Sequence, residues 1–193
     1  MKRWTQTMLG IGLAVTIVAC DNRADENAAR PDSGAPVGTA GAGSNADRDF
    51  IQDQLEDGHA EVMLGQVAAE RASHPQVKEF AQMMVREHQT AGEELRQLAT
   101  AASVQVTPPA QDLDGDHKDL HEELAKLSGL EFDRKYMDAM VEEHEEAVNE
   151  VEKKAESENA EVRRWAAKTL PKLRQHLEQA KQLKETLENA GTR

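Results

Sequence analysis

Between Asp47 and Glu188 the apolar residues recur at alternating steps of three and four, and this spacing constrains the fold more than any other feature. The spacing places apolar side chains along one face of an α-helix, and such faces pack against each other at small crossing angles. The same region is rich in Ala, Leu, Glu, Lys and Gln, which favour helices. The sequence therefore predicts an all-α domain built as a helical bundle.

Breaks in this pattern divide the region into helices. Ser73 and Gln76 around Pro75 predict a capping box at the start of the second helix, and Asn159 is a suitable N-cap for the last one. We expect four long helices at about 47–72, 75–102, 130–156 and 159–188, and a shorter one at about 112–127.

The second and third long helices are separated by a connection much longer than a tight turn requires. It runs from Ser103 to Ser128, contains Pro108 and Pro109, and is long enough to travel the length of a bundle. A long crossover at this point is the connectivity of ferritin-like bundles. We therefore predict a ferritin-like four-helix bundle domain over 47–189, with the shorter helix in the crossover and a tail at 190–193.

The first 19 residues have the order of a secretory signal peptide. Lys2 and Arg3 precede an apolar run of twelve residues, which as a helix reaches about 18 Å and is too short for a bilayer core of about 30 Å. Residues 17–20 (IVAC) resemble the bacterial lipobox, so we expect cleavage before Cys20 and lipid on its sulfur. The alternative is ordinary cleavage near Ala19, which would leave a free thiol.

Residues 20–46 are predicted to be the lipidated cysteine and a disordered tether. After Cys20 this stretch has a single Val and no Leu, Ile, Met or aromatic residue, so it cannot bury enough apolar surface to offset the entropy lost on ordering. We therefore expect a lipoprotein of the cell envelope that faces the periplasm and meets the membrane through its anchor. The chain's formal net charge of −13 argues against nucleic acid as a partner.

Three long helices each carry one histidine in an otherwise apolar seam: His88, His144 and His176. Glu61 lies near the apolar side of the first helix, so four helices would each supply one polar group. Buried imidazoles without partners would cost about 1 to 3 kcal/mol each, and they therefore require either shared polar partners or a metal ion.

Two interpretations of these four residues remain open at the level of sequence. Three imidazoles and a carboxylate suit one Fe, Zn, Mn or Cu ion, for metal handling or redox protection, and no organic cofactor is indicated. Alternatively, they form a metal-free polar cluster in a non-enzymatic stress or interaction module. His117 and His121, one helical turn apart, could also chelate a metal, although packing explains His117 equally well.

Little in the sequence favours an enzyme. The Glu-x-x-His pairs of di-iron bundles are absent, because Val85 and Val141 stand three residues before His88 and His144. No nucleophile grouping or glycine-rich phosphate loop is present. A catalytic metal would need a nearby acid or base, and the nearest candidates in sequence are Glu87, Asp133 and Tyr136.

Several segments together resemble one family, the bacterial envelope proteins grouped as domain of unknown function 4142, which are labelled outer-membrane proteins and considered ferritin-like. The segments that carry the resemblance are 60–65, 77–88, 128–144 and 166–176. The family implies a fold and an envelope address but no established activity. Its recurring polar positions correspond to Glu61, His88, His144 and His176. Whether the anchor is in the inner or outer membrane stays open, because Asp21 after the cysteine resembles an inner-membrane retention signal.

The lipid anchor can be tested directly. Cys20→Ala should block acylation and leave an unprocessed or misprocessed protein, because the acyl chains and the cleavage both depend on that sulfur. Acyl chains contribute about 0.8 kcal/mol per buried CH₂, so any processed product should be held only weakly by membranes. Metabolic labelling with a fatty acid, followed by membrane fractionation, measures both effects. Normal lipid labelling of the variant would refute the prediction.

Overall fold

The computed structural model describes residues 43–113 and 115–190, which lie in one compact unit spanning Gly38–Arg193. These residues form five helices and no strand: α1 (Asn45–Arg71), α2 (Pro75–Ala101), α3 (Gly115–Lys126), α4 (Gly129–Lys154) and α5 (Ala160–Ala190). None of these helices is long and apolar enough to cross a membrane. The predicted signal peptide, Cys20, the tether up to residue 42 and the last three residues of the tail lie outside the described residues.

The long helices form two antiparallel hairpins, α1 with α2 and α4 with α5, which pack side by side. Gln54 of α1 donates to Glu150 of α4 at 3.1 Å, and Lys168 of α5 lies 2.9 Å from Glu94 of α2. These contacts make α1 antiparallel to α4, so α2 and α4 run parallel. Consecutive long helices that run parallel cannot be joined by a short turn, and the crossover with α3 returns the chain along the bundle. The predicted all-α four-helix bundle with a short helix in the crossover is confirmed.

Two apolar cores fill the bundle, one toward each end. They consist mainly of the following buried side chains: Leu64, Val77, Phe80, Met84, Phe132, Tyr136, Met140 and Leu187 in the first, and Phe50, Ile51, Leu55, Leu95, Val151, Val162 and Trp165 in the second. Along each long helix the residues of one core are separated from those of the other by a short stretch. Each of these four stretches contains one polar residue whose side chain is at most 10% exposed, so a polar layer crosses the middle of the bundle.

The helix ends differ from the sequence prediction in two places. Helix α1 begins two residues earlier than expected, at Asn45, because the hydroxyl of Ser44 accepts a hydrogen bond from the Asp47 amide at 3.1 Å. The predicted capping box at Ser73 is wrong: the N-cap of α2 is His74, and its side chain makes no capping bond. Asn159 does cap the start of α5, through its Oδ1 and the amides of the following turn.

The turn between α1 and α2 is instead capped from another helix. The buried carboxylate of Asp133 in α4 accepts bonds from the Ser73 amide at 2.9 Å, the Ser73 hydroxyl at 3.0 Å and the His74 amide at 2.8 Å. One side chain therefore accepts hydrogen bonds from amides at a helix start that have no partner within the helix, and it links the first hairpin to the second.

Asp133→Ala should destabilise the protein by about 3 kcal/mol, because it leaves these amides without an acceptor. A matched control is Asp138→Ala on the same helix, whose exposed carboxylate pairs only with Lys184 at 2.8 Å and should contribute less than about 1 kcal/mol. Urea unfolding monitored by circular dichroism measures both free energies. Equal losses in the two variants would contradict the capping role of Asp133.

Candidate metal centre

The polar layer consists of the four residues that the sequence singled out. Glu61 comes from α1, His88 from α2, His144 from α4 and His176 from α5. The exposed fractions of the His144 and His176 side chains are 0% and 3%, and those of Glu61 and His88 are 4% and 10%. The helical stagger thus places one polar group from each long helix at the same height.

The three imidazoles surround a common point. The His88, His144 and His176 ring centroids are 5.4 to 5.8 Å apart, and one nitrogen of each ring lies within 4.8 Å of one nitrogen of each other ring. Zn–N bonds of about 2.0 to 2.1 Å put tetrahedral ligands about 3.3 Å from each other. An inward movement of each ring by less than about 1 Å would therefore bring the three nitrogens to coordinating distance.

Hydrogen bonds outside this point orient two of the rings. The Nδ1 of His144 donates to the Met140 carbonyl at 2.9 Å, and the Nε2 of His176 donates to the Glu87 carboxylate at 3.1 Å. Because a carbonyl and a carboxylate can only accept, each ring carries its proton on that nitrogen when neutral, and the other nitrogen keeps its lone pair. Metal-bound histidines in proteins are held in this way, with the second nitrogen donating to an oxygen.

Glu61 lies against two of the rings. Its Oε2 is 2.9 Å from His88 Nε2 and 3.8 Å from His144 Nε2, although the 2.9 Å pair is not aligned as a hydrogen bond. Burial opposes ionisation of this carboxyl, but the interactions with His88 and His144 outweigh burial and lower the pKa of Glu61 to about 2. A carboxylate is therefore present among the rings at neutral pH.

The same environment shifts the pKa values of His176 and His88 in opposite directions. Burial and the neighbouring His144 and His88 lower the pKa of His176 to about 4, which keeps this imidazole neutral at pH 7. For His88, burial acts in the same direction, but the Glu61 carboxylate outweighs it and raises the pKa. A neutral imidazole is the form that binds a metal ion.

Four buried atoms of this layer lack a hydrogen-bond partner: Glu61 Oε2, His88 Nε2, His144 Nε2 and His176 Nδ1. Buried polar atoms in proteins are nearly always bonded, and an exception points to a missing water or ion. One cation would satisfy all four, since three nitrogens and one oxygen are a common donor set for transition metals. The three buried histidines could therefore hold a metal ion.

The other candidate residues have different surroundings. Asp133 is engaged at the α1–α2 turn, so it is not free to act as an acid or base beside the histidines. His117 lies 3.4 Å from Glu143 and, with His121, is not part of the metal-sized group found among the described residues. The sequence named Glu87 only as a candidate acid or base. Its bond with His176 was missed, because it follows from the packing of α2 against α5, which no spacing within one helix reveals.

A cleft of about 320 Å³ reaches this centre from the side of the bundle, and Glu61 and His88 lie in its wall. Asp57 lines the same cleft one turn before Glu61. Burial, together with Glu143 and Glu61, raises the pKa of Asp57 to about 7, although His117 acts in the opposite direction. The cleft thus brings several carboxylates close to one another.

The fold and the centre define a class of protein, a helical bundle with a buried group of histidines suited to metal. The chain belongs to the family described as domain of unknown function DUF4142, whose model matches residues 33–183. The family expected from the sequence is thereby confirmed.

Solved structures with a similar fold include CopM in three metal-bound forms. The Ag-bound form is 21% identical with a TM-score of 0.58, the Cu(I)-bound form 18% with 0.60, and the Cu(II)-bound form 19% with 0.61. Each alignment covers 72% of this chain and 95% of CopM. A DUF305 fragment from Deinococcus radiodurans is 15% identical with a TM-score of 0.63, over 76% of this chain and 98% of the fragment. No curated protein matches the chain.

Tyr136 provides a test of the packing beside the centre. Its hydroxyl is fully buried and has no hydrogen-bond partner, and burial raises its pKa above the usual range. Tyr136→Phe should therefore leave the free energy of unfolding unchanged or raise it by about 1 kcal/mol, because an unsatisfied hydroxyl is removed. Tyr136→Leu, the control, should lose about 2 kcal/mol or more through the cavity it leaves. A clear loss of stability in Tyr136→Phe, seen in urea unfolding, would show that the hydroxyl has a partner.

Proposed function

We propose that this protein is an envelope lipoprotein that binds one transition metal ion, copper foremost, through His88, His144, His176 and Glu61. Its task would be metal handling or protection against metal-driven redox damage at the membrane. The envelope address is supported by the signal-like residues 1–19 and the lipobox-like residues before Cys20. A tether of the predicted length would hold the bundle clear of the lipid headgroups.

The observation that carries the proposal is the set of unpartnered atoms in the polar layer. A metal-free cluster could pair Glu61 with His88, but no described protein group would pair with His144 Nε2 or His176 Nδ1. Each would cost about 1 to 3 kcal/mol. A metal ion uses the same lone pairs as ligands, so it removes a cost that the metal-free cluster retains.

Copper is favoured over the other metals by two arguments. Among the divalent ions of the first transition row, copper binds most tightly to a site of nitrogen and oxygen ligands. The second argument is the fold shared with CopM, whose structures carry Cu(I), Cu(II) and Ag. The likeness to CopM extends to the fold alone, so the first argument, from the ligands of this chain, is the stronger of the two.

The test compares thermal stability with and without metal. If the centre binds copper, Cu(II) should raise the melting temperature above that of the chelated protein, since an ion at 100 times its dissociation constant adds about 2.7 kcal/mol. His144→Ala should abolish this increment, and each variant is compared with its own chelated form so that the cavity left by the ring does not affect the result. His121→Ala, which removes a histidine outside the centre, should retain the increment. The protein is purified without a histidine tag.

Glu61→Gln distinguishes a four-ligand centre from one of three histidines. The amide preserves the shape of the side chain but removes its charge, so copper affinity should fall if the carboxylate is a ligand. Wild type is also tested with Zn, Mn and Fe, and metal content is measured after reconstitution. Melting that no metal changes, with less than a tenth of an equivalent bound, would defeat the metal proposal and favour the metal-free cluster.

A further inference from the structure

The cleft beside the centre has a strongly one-sided charge. Six of the side chains that line it are carboxylates: Asp57, Glu61, Asp116, Glu143, Glu146 and Glu150. Among the described residues in its wall, none is Lys or Arg. Two of the six lie beside a histidine, Glu61 beside His88 and Glu143 beside His117. Elsewhere on the surface some acids pair with a lysine, as Glu94 does with Lys168. The charge of the cleft is thus mostly uncompensated.

The inner wall of the cleft ends on unpartnered ligand atoms. Glu61 Oε2 and His88 Nε2 are buried, have no hydrogen-bond partner and belong to residues that line the cleft. The side chain of Glu61 is only 4% exposed, so it is reached from this cleft and not from the open surface. The row of carboxylates therefore leads to atoms that a cation would satisfy.

The size of the cleft suits an ion with its water. At about 30 Å³ per water molecule, six waters occupy about 180 Å³, and the cleft measures about 320 Å³. Carboxylates on low-dielectric walls concentrate cations and repel anions, and such focusing raises association rates by about 10 to 1,000 times. Outer carboxylates can also exchange with the waters of an arriving ion before the imidazoles bind it.

We propose that this acidic cleft is the entry route by which a free hydrated cation reaches the buried histidine centre, with Asp116, Glu146 and Glu150 attracting the ion before Glu61 receives it. The inference rests on the proposed function, because a route requires a metal centre at its end. It also specifies the form in which the metal is taken up. The protein takes a free aqua cation and excludes metal carried in anionic complexes.

The experiment measures the rate at which Cu(II) enters the centre of the full-length chain. Stopped-flow absorbance follows the copper–imidazole band, and the loss of this band in His144→Ala assigns it to the centre. The cleft variant is Asp116→Asn/Glu146→Gln/Glu150→Gln. The matched control, Glu79→Gln/Glu156→Gln/Glu185→Gln, makes the same change in net charge at exposed acids that do not line the cleft.

At low ionic strength the cleft variant should bind copper about tenfold more slowly than wild type, and its rate should depend less on salt. The control should keep a rate close to that of wild type. A cleft variant as fast as wild type, or a control slowed equally, would overturn the route. A cleft variant that no longer fills at equilibrium would also overturn it, since these carboxylates would then be ligands.

The two proposals fail in different ways. If wild type takes up none of Cu, Zn, Mn or Fe at equilibrium, the metal centre itself is refuted. If wild type fills and the two triple variants fill at the same rate, the centre stands and only the entry route is refuted.

Discussion

The structure depends on how a bundle accommodates a polar layer in the middle of its core. Each long helix changes from one apolar core to the other at a single buried polar residue, and these four residues meet. Removing a carboxylate and three imidazoles from water is costly unless their atoms are paired. Packing alone therefore does not explain why polar residues occupy this layer.

Oxygen acceptors around the layer pair only the outward N–H groups of the imidazoles. The Met140 carbonyl and the Glu87 carboxylate accept hydrogen bonds from His144 and His176, which fixes how the rings are oriented and leaves their lone pairs inside the bundle. Asp133 shows the contrasting case, because three protein groups donate hydrogen bonds to its buried carboxylate. The difference between a satisfied buried carboxylate and an unsatisfied histidine group separates a structural role from a candidate binding role.

The fold brings part of the chain's negative charge together at one place. A net charge of −13 could be spread over a solvated helical surface, where it would keep the protein soluble and little more. Part of it is instead gathered in the cleft that ends on Glu61, where carboxylates from α1, α3 and α4 face one another. Charge that is diffuse in the sequence is thus concentrated at the side from which the centre is reached.

The sequence by itself determined the helices, the crossover and the four residues of the layer. The 3.6-residue period makes this possible, because it assigns each residue to a face of its own helix without knowledge of the neighbours. His88, His144 and His176 were recognisable as polar interruptions of an apolar face. The bond from His144 to the Met140 carbonyl is also local, since these residues are one turn apart.

Only the tertiary structure decided which groups from different helices touch. Glu87 reaches His176, Asp133 caps a turn that the sequence assigned to Ser73, and Asp57 joins Glu143 in one cleft. Each of these contacts depends on the rotation and axial stagger of one helix against another. Those quantities are set by the simultaneous packing of all side chains in the two cores, and a pattern along a single helix does not contain them.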